Sequence, residues 1–85
     1  MAKVTYEWLF TYLQQLGFED TSPSEFERVF EHSGRGILFA FSMLDDPSVD
    51  RPTRDADITS VEFRLQQEGL LSGTLADASP RLSEL

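Results

Sequence analysis

Two alternating segments on either side of Ser33-Gly34-Arg35-Gly36 constrain this chain more than any other feature. After the break, Ile37, Phe39, Phe41 and Met43 recur at every second position, so an extended backbone places all four on one face. Before it, Phe26, Arg28 and Phe30 alternate with Glu25, Glu27, Val29 and Glu31, which turns Phe26 and Phe30 to one side. The short glycine-containing loop between them predicts an antiparallel hairpin. The second segment also carries Leu38, Ala40, Ser42 and Leu44 on its other face, which suggests a central strand or one partly covered on both sides.

Helical patterns flank the hairpin. From Thr5 to Leu16, Tyr6, Leu9, Leu13 and Leu16 recur at three-and-four spacing, with Trp8 and Tyr12 four apart beside them. Thr5 suits the capping position, Val4 and Leu9 the staple around it, and Gly17 the left-handed stop, with Phe18 folding back towards Leu13. A second helix is expected from about Thr53–Asp55 to Gln67, with Asp55 and Asp57 at its positive end and Ile58, Val61 and Leu65 as its buried stripe. Gly69 stops it, and Leu70 and Leu71 return to the core. The polar run from Glu19 to Ser24 reads as a turn, and Asp45 to Pro52 as a connecting loop with room for a short edge strand.

This order predicts a small α+β domain of α-β-β-(β)-α type, with an antiparallel sheet and both helices packed on one face. Residues 1–71 form that single domain, and 72–85 a loosely ordered C-terminal tail. Leu75, Leu82 and Leu85 leave room in the tail for a short docking segment.

With 85 residues and no cysteine, the core has to come from seven Phe, two Tyr and one Trp, without disulfides or a cysteine-based metal site. Fifteen acids against seven bases give a net charge of −8, which opposes nonspecific binding to nucleic acid or an anionic membrane. The start of the chain has no apolar signal region, and Ile37-Leu38-Phe39-Ala40-Phe41 is far too short to span a bilayer. A soluble cytoplasmic protein is the expectation.

The ensemble resembles the HicA/YcfA-like family of small bacterial proteins, whose fold is like that of the double-stranded-RNA-binding domain. The similar features are a first helix ending in Leu16-Gly17-Phe18, the strand Val29-Phe30-Glu31-His32, a glycine-bearing turn, an apolar strand, and a closing helix from Asp57 to Gly69-Leu70. The likeness extends over about residues 4 to 71. Toxic members of that family cleave messenger RNA, and the resemblance implies a histidine in a Gly-Ser-His stretch at the start of the first strand. Laid on by the Val29–His32 match, that stretch falls on Glu25-Phe26-Glu27, where both glycine and histidine are missing. A carboxylate at Glu27 repels phosphate and lacks the near-neutral titration that ribonuclease chemistry uses. The chain therefore reads as an inactive or divergent relative with no catalytic residue assigned.

The remaining candidates carry weak signals. His32, the single histidine, suits a turn-flanking surface position or a ligand contact, but not a zinc site by itself. Glu25, Glu27 and Glu31 share a strand face on which adjacent positions are about 7 Å apart, too far for tight chelation, and suit a charge-guarded edge strand. Arg28, Arg35, Arg51 and Arg54 form either a local basic patch or pairs with nearby acids such as Glu27, Asp50 and Asp55. Ser33–Gly36 joins strands and so is a turn, not a phosphate cradle. Phe26, Phe30, Phe39 and Phe41 lack the flanking bases of a stacking platform and read as core.

No cofactor or metal is implied. The functional expectation is a protein-interaction module with a protein partner, possible self-association included. The alternatives are a toxin–antitoxin-related mRNA-binding protein or ribonuclease, and an acidic nucleic-acid mimic.

Overall fold

In the computed structural model, which describes residues 4–78, the Thr5 hydroxyl accepts a hydrogen bond from the Trp8 amide at 3.1 Å and opens α1, Tyr6–Gln15. Tyr6, Leu9, Phe10 and Leu13 form its buried face, while Leu16 is half-buried. Gly17 ends the helix with φ at +103°, a conformation open to glycine. The Phe18 amide then donates to Leu13 O at 3.0 Å, and the Phe18 ring enters the core as its position predicts.

That return changes the sheet. With Phe18 anchored, Glu19–Asp20 run extended as β1 and pair antiparallel with β2, Glu27–His32, in the register Glu19↔Glu31 and Asp20↔Phe30. The expected polar turn at 19–24 thus begins with a strand too short for any alternation to show. β2 pairs antiparallel with β3, Ile37–Ser42, from Glu27↔Ser42 to His32↔Ile37. The sheet order is β1-β2-β3. Two expectations are corrected here: the glutamate-bearing strand is central, and the apolar strand is the edge. The loop at 45–52 contributes no strand to the sheet; Pro52 makes only an isolated bridge to Thr5.

Ile37, Phe39, Phe41 and Met43 are buried with Phe30, whereas Phe26, which precedes β2, remains 41% exposed. Phe10 stacks on Phe30 at 4.8 Å and meets Phe41 at 5.4 Å, fixing α1 against the sheet. α2, Asp55–Gln67, adds Val61 and Leu65 to the same core. The result is an α+β domain with its helices on one face of an antiparallel sheet.

Gly69, at φ +74°, turns the chain so that Leu71 packs inward. Of the segment expected to be a loose tail, residues 79–85, with Leu82 and Leu85, lie outside the described residues. Residues 72–78 lead into the short α3, Leu75–Ala78, whose Leu75 is fully buried. Glu62 holds it by accepting the Leu75 amide at 2.8 Å. Among the described residues no helix is long and apolar enough to cross a membrane.

Candidate functional site

Two of the four candidate arginines converge, around a residue the sequence pattern did not single out for chemistry. Tyr6 is fully buried at the start of α1, and the guanidinium carbons of Arg51 and Arg54 lie 4.9 and 5.7 Å from its ring centroid. The Tyr6 hydroxyl donates to Asp57 Oδ2 at 2.6 Å and accepts the Arg54 amide at 3.2 Å. Burial raises the pKa of this phenol, and the bond to Asp57 raises it further.

Arg54 pairs with Asp57 and Asp45, each at 3.2 Å, and donates to Ser42 O. Burial works against its charge, but Asp57, Tyr6 and Asp45 outweigh that cost and raise its pKa. Arg51 donates to Asp46 O at 2.7 Å and to Ser48 O at 3.2 Å, and it lies 3.6 Å from Asp45 and 3.8 Å from Asp46. The cluster ties the 45–52 loop and the start of α2 to α1. Its cations are occupied in doing so.

Arg28 and Arg35 lie elsewhere. Arg28 covers the Phe10 ring at 4.8 Å, pairs with Asp20 at 3.0 Å and donates to Ser22 Oγ at 3.1 Å. Burial opposes ionisation of Asp20, but the bonds from Ser22 and Arg28 prevail and hold its pKa below the ordinary value. Arg35, in the hairpin turn, donates to Glu68 O at 3.2 Å, satisfying a carbonyl at the end of α2. The expected pairing of arginines with acids is present for Arg28, Arg51 and Arg54, with Asp20, Asp45, Asp46 and Asp57 as partners in place of Glu27 and Asp50. A single basic patch does not form among these residues.

His32 is half-buried and packs edge-on against Phe18 at 5.3 Å, with Gly17 and Gly34 against its ring. It is a packing residue at the end of β2, with Nδ1 buried and without a hydrogen-bond partner among the described residues. It lies at the opposite end of the hairpin from Arg54, since Glu27↔Ser42 and His32↔Ile37 are the terminal pairs. No three His, Asp or Glu side chains gather as metal ligands among the described residues.

The outer face of the hairpin is built differently. Leu38 is 57% exposed and Leu44 77%, so the expected second cover of this strand is absent among the described residues. The register places Leu38 opposite Glu31 and Ala40 opposite Val29, while Ser42 stands opposite Glu27. Phe26, Glu27, Ala40, Ser42 and Leu44 help line a shallow concavity of about 410 Å³. Glu19 extends the acidic row beside Glu31. None of Glu19, Glu27 and Glu31 forms an ion pair among the described residues.

Sequence reading missed this surface because Leu38 and Ala40 alternate correctly for a strand buried on both faces. Strand order places β3 at the edge, and Leu38 is left exposed among the described residues. No protein-family model matches the chain, and neither a curated protein nor a solved structure shows significant similarity to it.

Proposed function

We propose that this chain is a noncatalytic, HicA-like interaction domain whose partner is a protein with a basic surface. The observation that carries this reading is the contrast between its charges. Arg28, Arg35, Arg51 and Arg54 are engaged inside the fold, whereas among the described residues Glu19, Glu27 and Glu31 form no ion pair, and Glu31 lies opposite exposed Leu38. Such a surface attracts a cationic partner and repels a polyphosphate. Support for the lack of ribonuclease chemistry comes from Glu27, exposed at the start of β2 where the resemblance asks for a histidine.

The test is isothermal titration of the protein with basic candidate partners, including the product of the adjacent gene, at low and high salt. A complex that weakens as salt rises is expected. The reading fails if no such protein binds, or if the chain cleaves RNA and loses that activity on His32→Ala.

A further inference from the structure

We propose that the free edge of β3 accepts an extended, basic segment of the partner as a fourth strand of the sheet, an inference that rests on the interaction-domain reading above. The Met43 amide donates to Phe26 O at 2.8 Å. In an antiparallel pair, residues whose backbone groups face the partner strand alternate with residues whose groups face away. The observed register therefore turns the backbone groups of Ile37, Phe39 and Phe41 towards β2 and those of Leu38, Ala40 and Ser42 to the open side. Arg54 occupies the Ser42 carbonyl. The amides and carbonyls of Leu38 and Ala40 have no partner among the described residues.

Edge strands are commonly guarded by lysine, proline, an inward charge or a bulge. Ile37-Leu38-Phe39-Ala40-Phe41-Ser42 has no charged residue or proline, and its register with β2 is unbroken. The open edge is therefore a pairing template, and the outer face determines which strand suits it. An added strand runs about 10 Å from β2, two strand spacings away. A lysine or arginine on its outward side can lay its aliphatic stem across Leu38 or Ala40 and bring its charge towards Glu31 or Glu27. The small side chain of Ala40 leaves space for that crossing. A second copy of this chain meets the edge with the same uncharged strand and adds its own unpaired carboxylates, so it lacks the complementary charge.

The full chain, labelled with ¹⁵N, is titrated at low salt with a heptapeptide of alternating lysine and valine. Two twins of the peptide are N-methylated on alternate residues, one set for each edge. Binding is expected to slow hydrogen exchange at the Leu38 and Ala40 amides. One twin binds about tenfold more weakly or worse, as the loss of two or three backbone hydrogen bonds gives, while the other matches the parent. Ala40→Pro weakens binding to a similar degree, because it removes an outward donor and leaves the β2–β3 ladder intact.

Strand addition is overturned if the parent peptide does not bind, if both twins bind alike, or if protection appears away from Leu38 and Ala40. Protection there without peptide, with the mass of a dimer, overturns it in favour of a second copy. These results leave the interaction-domain reading standing when a basic protein still binds in the calorimeter; failure of every such protein refutes that reading instead.

Discussion

Replacing Tyr6 with phenylalanine tests whether the Tyr6–Arg51–Arg54–Asp57 cluster is a structural tie. The change keeps the ring, with its contacts to Phe10 at 5.7 Å and Arg51 at 4.9 Å, and removes only the hydroxyl. Lost with it are a 2.6 Å bond to the Asp57 carboxylate and a 3.2 Å bond from the Arg54 amide. A hydrogen bond to a charged group contributes about 1.5–3 kcal/mol, and stranding the amide adds a smaller cost, so a loss of about 2–3 kcal/mol is expected. In a domain of this size that corresponds to a fall in Tm of roughly 10–20 °C.

Urea and thermal unfolding, followed by circular dichroism, measure the loss. A cycle with Asp57→Ala is expected to show a coupling of about 1–2 kcal/mol. A total loss below about 0.5 kcal/mol, or independent effects of the two substitutions, refutes the argument.

The same phenol sets an alkaline limit. Its pKa in the fold lies above the ordinary 10.0, so above that pH the unfolded chain loses a proton that the folded chain retains. The stabilisation is complete below pH 10 and declines as pH rises through the folded pKa. Tyr6→Phe flattens this decline; Tyr12, also raised by burial, supplies the remainder.

Leu75→Ala empties a fully buried site and is expected to cost about 2–5 kcal/mol in urea unfolding; a cost near zero would show that α3 does not belong to the core. Gly17→Ala places a Cβ 3.1 Å from His32 Nε2 at a φ of +103°, and a loss of at least about 1–2 kcal/mol is expected, with unchanged stability as the contrary result. Ser22→Ala removes the hydroxyl hydrogen bond to Asp20 while the backbone amide of residue 22 still donates, so an NMR titration is expected to find the Asp20 pKa raised part of the way towards the ordinary carboxylate value. Because that pKa is depressed in the native fold, its stabilisation is present above the unfolded pKa and is lost as pH falls through the folded one; the Ser22→Ala protein loses less on acidification.

Parts of the fold readable in advance rest on local chemistry. Thr5 caps α1, Gly17 and Gly69 end their helices, and alternation assigns Ile37, Phe39, Phe41 and Met43 to the core. β1 was hidden because its two residues are polar and are held extended by what Phe18 and β2 do around them. The candidate site was less legible. Arg51 and Arg54 share Tyr6, which is far from them in sequence, so no local pattern brings the three together.

By itself, the sequence determined the types of the main elements, one face of each, and the excess of acid over base. These depend on side-chain period, caps and composition, which are local properties or sums. Tertiary structure alone decided that the glutamate-bearing strand lies in the middle and the apolar strand at the edge, because strand order is a contest among segments for the same backbone donors and acceptors. Glu19 and Asp20 take one side of β2 and β3 takes the other, leaving Leu38 and Ala40, among the described residues, with open backbone groups near carboxylates that form no ion pair.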